Sequence, residues 1–244
     1  MKTRQVIFFV GLILFVISLP LSTKIIMEVF HNQKMNEAFI ITDVNEGFPP
    51  TDSTYQFKDN VIEIEETLKE EYSHLDSTDN IIGISNLSIN INREEIVQLN
   101  EHPIRVGAEG LNRYYGEIAY LLVEDKKNDI TRFIVLVKRT KELAKKMPNG
   151  DIRGWVTPEK LKYTLYAIDE DGTYTSEDFS YSKRDALQTE LLNAGAVFPY
   201  RIGYYTDALQ AYPSLLFPLI YPFATLIIGF IMVLFFFPYR RLKK

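Results

Sequence analysis

His31, His74 and His102 are the only histidines in the chain. None has a second ligand at helical or turn spacing, so solvated or capping imidazoles are expected rather than zinc ligation or acid–base catalysis. Asp169, Glu170 and Asp171, with Glu177 and Asp178 nearby, are oxygen donors of the kind calcium takes. The sixth position counted from Asp169 is Tyr174, however, where an EF-hand loop needs glycine, and a hairpin turn is the expected structure. Lys138, Lys141 and Lys145 fall on one face of a helix expected over Lys138 to Lys146, beside Arg139, Glu142 and Lys146. Such a face suits lipid headgroups or an anionic wall polymer. It equally suits solvent, or the acidic stretch from Glu63 to Glu71. No G-x-S-x-G, P-loop, H-E-x-x-H or G-x-G-x-x-G motif is present, and Gly107 and Gly110 in R-V-G-A-E-G lack the following helix that phosphate binding uses. With no cysteine in 244 residues, disulfides, zinc thiolates, iron–sulfur clusters and thiol catalysis drop out together. No catalytic residue, cofactor-binding set or metal ligand set is therefore assigned.

Two apolar stretches frame these residues. Leu215 to Phe237 carries no charge and is followed by Arg240, Arg241, Lys243 and Lys244; at about 1.5 Å per residue it is long enough for a bilayer core of about 30 Å. Val6 to Leu21 is apolar apart from Ser18 and follows Lys2 and Arg4. A small-residue cleavage site fits poorly around Pro20, so an uncleaved anchor is expected, extended to Met27 with Lys24 reaching the headgroups. Transmembrane helices are thus expected at 5–27 and 214–237, with residues 28–212 between them outside the cell. Both basic ends vote for the cytoplasm by the positive-inside rule. The ends beyond the spans are too short to fold, so the work falls to the external part, the membrane, or another protein's helices. Pro218 and Pro222 interrupt the second span and free backbone carbonyls; with Gly229 they form a candidate surface for a partner helix.

All 32 acidic residues lie between Glu28 and Pro213, where 20 basic residues leave the stretch at −12. That balance disfavours nucleic acid as a partner. The expected partners are the lipid bilayer and another membrane protein or a second copy of the chain. A cysteine-free external domain also fits a bacterial envelope better than a eukaryotic secretory pathway.

The expected fold is α+β: an extracytoplasmic antiparallel sheet with covering helices. Ala38 to Val44 reads as a strand. Asp59 to Leu75 reads as a helix, because Val61, Ile64, Leu68, Tyr72 and Leu75 recur at intervals of three and four; a strand from Val61 is the rival. Asn80 to Ile91 alternates with a phase slip between Ile84 and Leu87, the mark of a bulged strand. Asn92 to Asn100 reads as a short capped helix. Glu117 to Val123 and Ile130 to Val137 form the central hairpin, and Phe133 to Val137 is apolar enough to require cover on both faces. Lys162 to Asp169 and Thr173 to Tyr181 form a second hairpin. A helix capped by Ser182 with Asp185 runs through Leu192 and ends at Gly195. Phe198, Tyr200, Tyr204, Tyr205 and Tyr212 suit a membrane interface.

In layout the chain resembles polysaccharide co-polymerases of the chain-length-determinant type, with two inside termini, one external domain and prolines at the second span. It departs from them in lacking their Ser-Pro-Lys element and long external helices. Arg153-Gly154-Trp155-Val156 with Pro158 is similar to the Arg-Gly-Trp segment of Surf-type cytochrome oxidase assembly factors, whose other motif after the first span is missing here. The functional expectation is a two-pass protein that binds or helps assemble a membrane or envelope partner without catalysis of its own. The alternative is an envelope polymer enzyme or co-polymerase-like factor on the outer face.

Overall fold

The structure is a computed structural model; it describes residues 3–44, 54–75, 81–106, 113–114, 116–140, 145–146, 152–153, 158–197, 201–211 and 216–238. The chain is α+β and divides into two units. One comprises Met1–Met35 with Arg201–Lys244, the other Asn36–Tyr200.

The second unit holds two antiparallel sheets. Strands β1 (Phe39–Asp43), β6 (Ile118–Asp125), β7 (Ile130–Lys138), β10 (Lys162–Ile168) and β11 (Tyr174–Ser180) form one, in the order β1-β6-β7-β10-β11. Strands β2 (Thr54–Phe57), β3 (Asn60–Leu75), β4 (Ile81–Ile91) and β5 (Glu94–Val106) form the other in chain order, and β8 (Lys145–Lys146) pairs with β9 (Ile152–Arg153). The sheets share a core: Ile62, Ile64, Leu87, Ile89, Val97 and Leu99 from the second meet Tyr120, Phe133, Val135, Val137 and Ile168 from the first. Alternation along each strand sends these side chains to one face. On the opposite face of the five-stranded sheet lies α2 (Ala186–Ala194). A Cβ at Gly195, which ends α2, would collide with Ala119 and lie 3.6 Å from Leu121, so the helix end rests directly on β6. The apolar run of β7, Phe133 to Val137, is buried throughout, with the second sheet on one of its faces.

The central hairpin, the β10–β11 hairpin and β1 lie where the sequence places them, and β4 carries its register shift between Ser85 and Leu87. Three expected helices are absent. Asp59 to Leu75 is strand β3. Asn60, Ile62 and Ile64 are buried at alternate positions, and β3 pairs with both β2 and β4, so period two overrides the coincidental helical stripe. Asn92 to Asn100 is no capped helix: Asn92 and Arg93 are left-handed (φ 53° and 72°), which makes the two-residue turn that joins β4 to β5. The basic helix over Lys138 to Lys146 is also corrected. Lys138 ends β7, and Lys145 and Lys146 form β8. A helical face joining Lys138 to Lys145 therefore does not exist; Lys141 lies outside the described residues.

At one end of the sandwich three turns interlock. Asn60 Nδ2 donates to Glu170 O (2.8 Å) and Asn92 Nδ2 donates to Asn60 Oδ1 (2.9 Å). Gly172, at φ +84°, leaves the space that Asn60 fills, since a Cβ there would stand 2.6 Å from Asn60 Oδ1. In α2, Asp185 accepts from Gln188 N while Gln188 returns a bond to the Asp185 backbone, so Asp185 rather than Ser182 is the cap.

The first unit contains α1 (Thr3–Ala38), α3 (Ala208–Ala211), α4 (Leu216–Pro218), a π-helical stretch Leu219–Ala224 and α5 (Thr225–Phe236). Thr3–Ala38 and Leu219–Phe236 are long and apolar enough to cross a membrane by length and composition. They run antiparallel with glycines at the crossing. A Cβ on Gly11 would lie 2.5 Å from Met232 Cβ; one on Gly229 would lie 2.6 Å from Phe15 N and 2.8 Å from Gly11 O. Small residues let helix backbones approach where lipid offers no hydrophobic drive between helices. Further along, the Ser18 and Thr225 hydroxyls share a 2.8 Å hydrogen bond. Tyr221 is extended (φ −133°, ψ 122°), which breaks the helix between Pro218 and Pro222.

Candidate functional site

The β3 alternation that buries Ile62 and Ile64 also turns Glu66 inward, and β4 together with the short turn at Arg113 and Tyr114 supplies what a largely buried carboxylate needs. Arg113 grips Glu66 with two bonds, Nε to Oε2 at 2.6 Å and Nη2 to Oε1 at 2.7 Å. The Tyr114 hydroxyl donates to Oε2 and the Ser85 hydroxyl to Oε1, both at 2.9 Å. Burial opposes ionisation here, yet the bonds from Arg113, Tyr114 and Ser85 outweigh it and hold the carboxyl below its ordinary value. The same burial, with the Glu66 charge alongside, pushes the Tyr114 hydroxyl well up.

Ser85 sits opposite His102 in the β4–β5 register, and His102 begins a second polar group. Its imidazole is almost wholly buried, with Nε2 3.8 Å from Glu117 Oε2. Glu117 stands just ahead of β6; Lys138, across from it at the end of β7, donates to Glu117 Oε1 at 2.6 Å. Here burial wins: it raises the Glu117 carboxyl despite the opposing pull of Lys138 and Arg105. Glu117 Oε2 is buried without a hydrogen-bond partner, as is the hydroxyl of Tyr163, whose backbone pairs with Lys138. Within the β unit two carboxylates thus shift in opposite directions, Glu66 held below its ordinary value and Glu117 raised above it. Beside the second, Gln98, Leu99, Asn100, His102, Lys138 and Arg139 line a cavity of about 180 Å³.

Lys138 was expected on a surface facing anions; it is instead tied to Glu117 with its ammonium largely buried. The Lys145 backbone is in β8, away from any shared helical face with Lys138. The calcium candidates each have their own partner. Asp169 takes Arg132 Nε (2.8 Å), Asp171 takes the Thr173 backbone and hydroxyl, Glu177 takes Gln188 Nε2 and Asp178 takes the Thr164 hydroxyl. His74 lies in the backbone of β3. Nothing in the residue spacing marks Glu66, whose partners Arg113 and Tyr114 lie 47 and 48 residues on, or Glu117, whose partner Lys138 lies at the far end of the central hairpin. The one available signal is a charged residue in phase with Ile62 and Ile64.

In the helical unit, Gly229 and Pro222 are buried. The helix met across Gly229 is the chain's own α1. Nearer the end of α1, Glu28 is fully buried, and its carboxylate accepts the backbone N–H groups of Tyr204 (2.8 Å), Tyr205 (2.7 Å) and Thr206 (3.3 Å). Gly203 permits the tight turn: a Cβ there would collide with Thr206 O and stand 2.8 Å from Glu28 Oε1. His31 packs on Tyr204 at 4.5 Å between ring centroids and meets the Tyr205 hydroxyl through Nδ1 at 3.2 Å. The three N–H groups give Glu28 what a helix N-terminus gives an anion, here within one chain. No protein-family model, curated protein or solved structure matches the chain.

Proposed function

We propose that this chain is a two-pass protein of the cell membrane, with both termini cytoplasmic and residues 28–212 on the outer side, where the β unit binds or helps assemble a membrane or envelope partner. One observation carries the membrane part of this reading. Large apolar side chains stand outward around both long helices, among them Phe9, Ile13, Ile17, Phe30, Ile220, Ile227, Leu234 and Phe235. Such a continuous apolar surface is untenable in water and suited to lipid. The polar bonds of this pair, Ser18 to Thr225 and Glu28 to its loop, are turned inward. The basic residues flanking the spans orient the reading.

The chain has no cysteine, so single cysteines report topology cleanly. Introduced at Asn128 and at Lys243 in separate variants, they are expected to react and not to react, respectively, with a membrane-impermeant maleimide on intact cells. The reverse pattern would overturn the orientation. Purification in mild detergent is expected to bring down a second membrane protein or a second copy; recovery of the monomer alone would refute the assembly role. The enzymatic alternative calls for two converging carboxylates of raised pKa. Among the described residues, Glu117 is raised but has Lys138 as its companion, while Glu66 is lowered.

A further inference from the structure

The cavity beside Glu117 has an unusual lining for so acidic a stretch of chain. Of its six lining residues, Lys138 and Arg139 are cationic, His102 can become so, and Gln98 and Asn100 carry amides; none is a carboxylate. Glu117 is not among the lining residues; its Oε1 accepts a bond from Lys138 Nζ at 2.6 Å. Arg105 also acts on Glu117, adding a second cation to Lys138 around that carboxyl. Arg139 anchors its backbone N–H on Lys162 O (2.7 Å), which fixes the guanidinium's root at the rim while the side chain stays exposed. The Arg139 guanidinium at an exposed position, the Lys138 ammonium, the His102 imidazole and the Gln98 and Asn100 amides are donors of the kind that a tetrahedral oxyanion takes, with Arg able to bind it through two parallel bonds. A cavity of about 180 Å³ equals the liquid volume of about six waters, room for a phosphate group and the first atoms of whatever carries it.

We infer that this cavity, to which Lys138 and Arg139 bring the cationic groups, is a phosphate-binding site. It takes a phosphate monoester or diester group, carried either by a soluble molecule or by a lipid headgroup. Glu117, whose Oε1 already holds Lys138 Nζ at 2.6 Å, competes with the ligand for that ammonium. This inference does not depend on the topology proposed above.

The test uses the full chain in neutral detergent, with thermal unfolding followed at constant ionic strength as chloride is replaced by inorganic phosphate, and separately as phosphatidylglycerol is mixed into the micelles. A saturable rise in unfolding temperature in either series is expected, the series that responds identifying the carrier. Arg139→Gln, at an exposed position, is expected to weaken the response about tenfold, the size of one charge-assisted bond. Glu117→Gln is expected to strengthen it, an effect that a purely structural pair would not produce. Absence of a saturable response in both series, or a response equal in wild type and Arg139→Gln, would overturn the site.

Discussion

Replacing Glu66 by Gln isolates the value of the fixed anion in the sandwich. The amide keeps the shape and one acceptor oxygen but loses the charge, and its NH₂ faces donors where the second oxygen had accepted bonds. Removing one partner of a fully buried ion pair costs about 3–5 kcal/mol because the other charge is stranded. Arg113 and Glu66 keep 23% and 15% of their side-chain exposure, so water recovers part of that loss. A cost of about 2–3 kcal/mol is therefore expected near pH 7, a sizeable share of the roughly 5–15 kcal/mol that holds a typical domain folded. The pH dependence is a second, independent handle. The Glu66 carboxyl is lowered in the folded chain from an ordinary value of 4.5, so its contribution is fully present above that value and is lost as pH falls through the folded one. Denaturant unfolding of wild type and variant, followed by circular dichroism in neutral detergent, should thus show a gap that narrows below about pH 4.5. A cost under about 0.5 kcal/mol at pH 7, or one that stays constant on acidification, would refute the assignment of Glu66 as a charged hub.

Glu117→Gln should change the pH profile with the opposite sign. The wild-type carboxyl is raised, so its folded state loses stability as pH climbs from 4.5 through the raised value, a slope the glutamine variant should lack in the same unfolding assay. Glu28→Gln removes the charge that three N–H groups share, and hydrogen exchange at Tyr204, Tyr205 and Thr206 should accelerate about tenfold or more, while amides of β6 and β7 keep their protection. Gly229→Leu should force the long helices apart, since even a Cβ stands 2.6 Å from the Phe15 backbone; a loss of about 1–3 kcal/mol is expected in thermal unfolding, with disulfide formation between cysteines placed at positions 18 and 225, whose hydroxyls now lie 2.8 Å apart, falling away.

Elements whose local pattern agrees with their place in the fold were legible in the residues. The β6–β7 hairpin pairs two β-rich runs across a polar turn, in which Asp125 accepts from Lys127 and Asn128. The β4 bulge showed as a phase slip. Strand β3 was hidden because its inward row contains Glu66, which makes the alternation fail where the sheet is most specific, while the exposed acidic positions happen to leave a helical stripe. Strand β5 was hidden by Asn92 at its head and Pro103 within it, a proline tolerated because β5 is the edge of its sheet. The Lys138 reading failed for a related reason: a lysine run that looks like a solvated helix begins with the last residue of a strand, and the ammonium that begins it is drawn inward by Glu117. The buried polar groups were illegible for two reasons: Glu66 meets Arg113, 47 residues on, only once the sheet has formed, and Glu117 meets Lys138 just beyond the apolar runs by which the β6–β7 hairpin is recognised.

The crossing of Gly11 and Gly229 has a consequence for how the chain explores its unfolded states. It fastens positions about 220 residues apart, so while those two helices remain together everything between them is a closed loop. In a chain without cysteine, that non-covalent knot does for the β unit what a cross-link does elsewhere, narrowing the set of open conformations from which the sheets must re-form. Loosening two glycines should therefore slow the refolding of strands that neither residue touches.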